Sequence, residues 1–256
     1  MSRDGTPLQI VLVGIGTGNP DHLTLQAGAA LNGADLILIP RKGPDKADLA
    51  DVRHLILSRV LTRPVPVAEF DMPTRSAGAG YLRGVEDWHD AIADRWRQAI
   101  AGHDGPRARV ALMVWGDPML YDSTLRIAGR LTGAAVSVVP GITSLQALCA
   151  AHAIALNEVA EPVLITTGRR LREGGWPAAA PDTMAVLLDG ECSFTAIDPA
   201  GIHIWWAAYV GMAEEILISG PLAETGPKIL ARRAEARAKA GWIMDIDLMR
   251  RARPVG

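Results

Sequence analysis

Three turns in this sequence place glycine where an apolar run gives way to polar residues, and each could hold a ligand against the backbone. They read Gly14-Ile15-Gly16-Thr17-Gly18-Asn19-Pro20, then Trp115-Gly116-Asp117-Pro118-Met119-Leu120-Tyr121, then Pro140-Gly141-Ile142-Thr143-Ser144. Glycine lets main chain approach a ligand closely, and the N–H groups opening a helix favour negative charge there. A dinucleotide site would need glycine at position 19, where Asn19 stands. Its acidic residue should close the second strand, whereas Asp35 opens it. No G-x-x-x-x-G-K-[ST] occurs, which excludes a triphosphate P-loop. Beside the turns stand Asp21, His22, Asp117 and Tyr121, side chains that could position a water as general base and that equally suit turns or caps. Thr143 and Ser144 offer two hydroxyls, for which helix capping is the plainer role. No Ser-His-Asp or Cys-His spacing marks a covalent nucleophile. His54, His89, His103, His152 and His203 lack ligand spacing such as H-x-x-x-H, so no metal is expected.

The elements that must position these turns can be read from apolar patterning. Residues 8–13 form a short, continuous, β-branched run, the signature of a strand buried on both faces. A helix is predicted over 24–33 and a second strand over 35–40, completing a β-loop-α-β unit. Pro44, Pro64, Pro66 and Pro73 break up 41–80, leaving one candidate helix at 50–61. Over 84–100, Val85, Trp88, Ile92, Trp96 and Ile100 recur at three- and four-residue spacing, which predicts an amphipathic helix. A strand at 109–115, a helix at 124–131 and a strand at 136–139 follow. Beyond lie a helix at 145–155 and strands at 162–167, 184–188, 202–210, 214–219 and 243–248. Strand and helix alternate first as in a parallel sheet and then as in a mixed one, so two α/β domains are expected, 1–138 and 139–256.

Composition narrows the function classes. The 256 residues are 49% hydrophobic and 21% charged, enough apolar material for a full core. Twenty-six basic against 28 acidic residues give a net charge of −2, which offers no global field for a nucleic acid or an anionic membrane. The run 228–239 reads as a basic helix with a solvated face. No uncharged run approaches the length that spans a bilayer, and the first residues lack a signal-peptide core. Cys149 and Cys192 are too few for a disulfide scaffold; together these features suggest a cytoplasmic protein. Trp outnumbers Phe and Tyr combined, with Trp205 and Trp206 adjacent in a predicted strand and therefore on opposite faces.

In this order, I-V-L-V-G-I-G-T-G-N-P-D-H-L-T-L at 10–25, W-G-D-P-M-L-Y at 115–121 and V-V-P-G-I-T-S at 138–144 resemble the class III S-adenosylmethionine-dependent methyltransferases, the tetrapyrrole methylases. Ile165-Thr166-Thr167-Gly168-Arg169, the strand before Asp189-Gly190, and Gly220-Pro221-Leu222 match later landmarks. The sequence departs from most relatives at Thr17 (usually Pro), Asn19 (usually Asp), Trp115 (usually a second Gly) and 153–156 (usually G-I-P-L). The resemblance implies two α/β domains with a cofactor cleft between them. It implies S-adenosylmethionine held largely by main chain at Trp115, Gly116, Asp117, Leu120, Thr143, Ser144, Leu188, Asp189, Tyr209, Val210 and Gly211, with S-adenosylhomocysteine as product. It implies a tetrapyrrole faced by Gly14, Gly16, Thr17, Gly18 and Pro20, and a homodimer. The insert carrying Phe70-Asp71-Met72-Pro73 and the Trp-rich helix looks most like the branch that methylates precorrin-5 at C-1 and releases acetate. Arg41, Lys42, Arg75, Arg83, Arg169 and Arg170 are candidate partners for precorrin carboxylates. The alternatives are a methylase for another precorrin, diphthamide or ribosomal RNA, or a non-catalytic binding module on the same fold.

Overall fold

The structure, a computed structural model, describes residues 7–41, 47–74 and 81–252. Lys42 and Arg75 lie outside them. The chain divides into two compact units, Met1–Thr143 and Ser144–Gly256.

In the first unit, β1 (Gln9–Gly14), β2 (Leu36–Arg41), β3 (Val67–Asp71), β4 (Arg109–Val114) and β5 (Ala135–Val139) form a sheet in the order β3-β2-β4-β1-β5. Each described pairing in it is parallel. Continuous apolar strands make sense here because both faces are covered. Ile10, Leu12, Val110 and Leu112 pack on one side with Ile92, Trp96 and Ile100 of α3 (Tyr81–Gly102) and Ile127 of α4 (Thr124–Ala128). Val11, Val13, Ala111 and Met113 pack on the other with Ala27 and Leu31 of α1 (Leu25–Asn32) and Ile56 of α2 (Ala47–Val60). Thr24 caps α1 by accepting the Ala27 N–H at 3.0 Å, and Gly33 ends it. β3 carries no mark in the sequence pattern. It is an edge strand in which Phe70 alone is buried, so it carries little apolar signal. The helix expected over 124–131 stops at Ala128 because Gly129 follows as its cap.

The second unit holds α5 (Ser144–Ala151), β6 (Val163–Thr167), α6 (Gly168–Gly174), β7 (Thr183–Leu187), β8 (Ile202–Ala208), β9 (Ile216–Pro221), α7 (Leu222–Ala240) and β10 (Asp245–Arg251). Its sheet runs β6-β7-β10-β8-β9 and is mixed. β6 and β7 are parallel, while β10 lies antiparallel to both β7 and β8. β7 and β8 therefore end at the same sheet edge. The helix expected to reach 155 stops at Ala151, since Ala153 turns to φ +51° and breaks it. Strands expected at 214–219 and 243–248 lie a little later, at β9 and β10. Trp206 is buried in this core, whereas Trp205 lies on the opposite face beside His203, with ring centroids 4.2 Å apart. The basic run on α7 is not uniformly solvated: Ile229, Arg233 and Ala236 turn inward.

Candidate functional site

β4, β1 and β5 are neighbours and parallel, so the three glycine turns emerge together at their carboxyl ends. One glycine from each turn meets the other two. A Cβ on Gly14 would stand 2.6 Å from the Gly141 nitrogen and 2.8 Å from the Gly116 oxygen. A Cβ on Gly141 would stand 2.1 Å from the Gly116 oxygen, closer than real Cβ atoms come. Glycine is needed here for close approach of three backbones. The first and second turns are also bridged by two main-chain hydrogen bonds: Gly116 N–H donates to the Gly16 oxygen at 2.8 Å and Gly16 N–H to the Gly116 oxygen at 3.3 Å. Asp117 joins the second turn to the third. Its Oδ2 accepts from Gly141 N–H at 2.9 Å and its Oδ1 from Met119 N–H at 2.7 Å.

The expected side chains are placed as follows. Thr17 is buried, and its Oγ1 lies 3.0 Å from His22 Nδ1. Asn19 accepts from Asp21 N–H at 2.9 Å, Pro20 opens the short helical turn Pro20–His22, and the Asp21 side chain faces solvent. Gly16 and Gly18 take φ +73° and +105°. Leu120 closes a turn onto the Asp117 carbonyl at 3.2 Å, and Tyr121 sits at φ +49°, half exposed. Thr143 approaches the second turn, its Cα 3.8 Å from where a Gly116 Cβ would be, and Ser144 begins α5.

Trp115 points away from the turn. Strand alternation puts Ala111, Met113 and Trp115 on the α1/α2 side, and the indole packs into that layer. Arg53 of α2 lies beneath it, with its guanidinium 5.2 Å from the ring centroid and its Nε donating to the Met113 oxygen at 3.3 Å. Burial pushes Arg53 down to about 10, against a smaller opposing pull from Asp122, so it stays charged at neutral pH. Nothing in the sequence marked Arg53, since an arginine on a helix is ordinarily solvated.

In the second unit, the turns that leave β7 and β8 carry the remaining expected residues. Leu188 (φ +53°) and Tyr209 (φ +50°) both adopt left-handed conformations that L side chains rarely take, and Gly211 follows at φ +82°. Leu188 is 69% exposed, presented outward by its turn. Asp189 is buried and accepts from Glu191 N–H at 3.2 Å and from the Ser193 N–H and hydroxyl at 2.5 and 2.7 Å. Gly168 leaves room for it, as a Cβ there would lie 2.3 Å from Asp189 Oδ1. The Tyr209 hydroxyl donates to the Trp242 oxygen at 2.5 Å, and Val210 is buried beside it. Gly211 N–H donates to Glu215 at 2.6 Å.

Among the candidate cations, Arg41 is paired with Glu69 at 3.3 Å and Arg169 lies 4.0 Å from Glu173. Arg83 and Arg170 are exposed. Among the described residues no group of three or more His, Cys, Asp or Glu could hold a metal ion.

A glycine junction at the carboxyl ends of a parallel sheet in one unit and, in the other, a mixed sheet with left-handed turns at Leu188 and Tyr209 together define a class. The chain belongs to the tetrapyrrole (corrin/porphyrin) methylases, whose family profile matches residues 9–226. Over 250 residues it is 48% identical to the precorrin-6A synthase (deacetylating) of a Sinorhizobium species, covering 95% of each chain. It is 33% identical to a cobalamin synthesis related protein (CobF) from Corynebacterium diphtheriae, with TM-score 0.79 over 96% of this chain and 100% of that one. The uroporphyrin-III C-methyl transferase of Thermus thermophilus, solved with S-adenyl homocysteine, shares the fold at TM-score 0.54 and 24% identity over 84% of each chain.

Proposed function

We propose that this protein is an S-adenosylmethionine-dependent C-methyltransferase that methylates precorrin-5 at C-1 and releases the ring's acetyl group as acetate, giving precorrin-6A. The observation that carries this is the near full-length identity of 48% to a precorrin-6A synthase (deacetylating).

The residues present fit a donor held by main chain: the glycine junction admits close approach at the second turn, and Leu188 and Tyr209 adopt left-handed, strained conformations in theirs. When bound, S-adenosylmethionine supplies a methyl group on a positively charged sulfur, which an in-line carbon nucleophile can displace. For the donor we assign Trp115, Gly116, Asp117 and Leu120 of the second turn and Thr143 and Ser144 of the third. Leu188, Asp189, Tyr209, Val210 and Gly211 complete the set. The first turn, Gly14 to Pro20, we assign to the tetrapyrrole. Their task is alignment, and orientation of two reactants can lower a barrier by about 7–11 kcal/mol. Asp117 serves by fixing turn to turn, because both its oxygens are engaged by backbone N–H groups.

Loss of acetate requires a positioned water. We assign that role to His22, with Asp21 and Tyr121 as neighbours of the two turns. When Nδ1–H of His22 donates to Thr17 Oγ1, its Nε2 is left as a proton acceptor. We further propose a homodimer acting in the cytoplasm, as expected of the family; both cysteines are free.

The test is incubation with precorrin-5 and methyl-labelled donor. Equal yields of methylated ring and acetate are expected. Methylation without acetate would overturn the assigned reaction but not the family. Failure of S-adenosylhomocysteine to bind in calorimetry would overturn the enzyme reading, and sedimentation as a single chain would remove the dimer.

A further inference from the structure

Beneath the two left-handed turns of the second unit lies a buried polar group that the proposed chemistry does not use. Arg233, on the inner face of α7, is 9% exposed. Its Nε donates to Asp245 Oδ2 at 2.7 Å, and its Nη2 donates to Asp245 Oδ1 at 3.4 Å and to the main-chain oxygen of Asp189 at 3.2 Å. Asp245 Oδ2 also accepts from Trp206 Nε1 at 3.2 Å. One guanidinium thus holds the residue after Leu188 on one side and the first residue of β10 on the other. The chain entering β10 in turn holds Tyr209: the Tyr209 N–H donates to the Met244 oxygen at 2.9 Å and its hydroxyl to the Trp242 oxygen at 2.5 Å.

Leu188 and Tyr209 both sit where L residues persist only if their surroundings over-determine the backbone. Simple neutralisation of buried charge does not account for the arrangement. Neutralising Asp245 needs only the contacts to its two oxygens, yet Arg233 also spends an Nη2 donor on the neutral main-chain oxygen of Asp189. A buried ion pair is also weak evidence of stability, because an apolar pair of similar volume is often as stable or more so.

We infer that Arg233, with Asp245, is a positioning residue that sets the 188–189 and 209–211 turns for the methyl donor. This rests on the assignment of those turns to the donor. The experiment compares wild type with Arg233→Met/Asp245→Leu and Arg233→Lys by S-adenosylhomocysteine calorimetry, thermal unfolding and amide hydrogen exchange. In the apolar pair, cooperative unfolding is retained, donor-product binding weakens at least tenfold, and the KM for donor rises similarly while kcat at saturation changes less than threefold. Exchange quickens at the amides of 188–191 and 209–212 and is unchanged in β7 and β8. Lysine keeps a charge but not the fork, so Arg233→Lys is expected to bind at least threefold more weakly, and it carries the test if the apolar pair fails to fold. Binding within twofold of wild type, or exchange rising evenly across the strands, would overturn the proposal. No binding by wild type would instead overturn the donor-site assignment, and this inference with it.

Discussion

Trp115 shows how a single residue can stand in a glycine turn and serve the layer below. Its backbone belongs to the glycine junction, while its ring fills space over Arg53, with Nε1 buried and without a hydrogen-bond partner. Trp115→Phe should keep most of the packing and remove the unpaired donor. It is expected to change stability by less than about 1.5 kcal/mol and donor-product binding by less than about threefold. Trp115→Gly, which restores the residue usual in relatives, should cost about 3–5 kcal/mol because it opens a cavity. Urea unfolding and calorimetry check both; a stable Gly variant would show that the indole is not a core element.

Asp247 is buried two residues into β10. Burial pushes its carboxyl well above the usual carboxylate range, and the charges of Asp189 and Asp245 add to the effect. The folded protein therefore keeps a proton that the unfolded chain releases near pH 4. Stability from this group is full below that pH and is lost as pH rises toward the folded value. Asp247→Asn is neutral throughout, so its advantage over wild type should grow with pH by up to about 1.4 kcal/mol per unit. Unfolding free energies of both proteins between pH 5 and pH 8 test this, and parallel pH curves would refute it.

At the scale of elements, the glycine junction is the part most legible in the sequence: three turns, each at the end of a buried apolar run, had to converge once those runs paired in parallel. That Gly14, Gly116 and Gly141 would touch was not legible, because strand order is not written in local pattern. The amphipathic α3 was readable from its spacing, whereas β3 was not, since an edge strand buries too little to show a period. β10 starts two residues later than expected and runs on to Arg251. Arg233 from α7 and the Trp206 indole make a buried carboxylate at 245 tolerable, partners that no local pattern announces. Two glycine substitutions separate these roles. Gly28→Ala on α1 meets nothing within 4 Å and should stabilise by about 0.5–1 kcal/mol through helix propensity. Gly141→Ala meets the Gly116 oxygen at 2.1 Å and should destabilise by at least about 1–3 kcal/mol and weaken donor binding as the turns part. Thermal melts of the pair decide it: equal, small effects would mean that the junction is not tightly packed.

Across the whole molecule, a net charge of −2 has to be reconciled with a polycarboxylate substrate. No long-range field can steer such an anion to this protein, so attraction must come from individual cations near where it docks. Arg41 is already engaged with Glu69 and Asp71. Arg83 and Arg170 are exposed and make no ion pair among the described residues, which leaves them better able to receive carboxylates. Contacts of this kind act within about a Debye length, roughly 8 Å at physiological salt. Raising salt from about 50 to about 300 mM should therefore raise the KM for the tetrapyrrole by only about two- to threefold and leave the KM for the methyl donor unchanged, since the site proposed for the donor is built of main chain. Steady-state kinetics at the two ionic strengths distinguishes the cases. A tenfold or larger effect would reveal a concentrated basic surface that the overall composition conceals, and no effect at all would mean that the ring is held without its carboxylates.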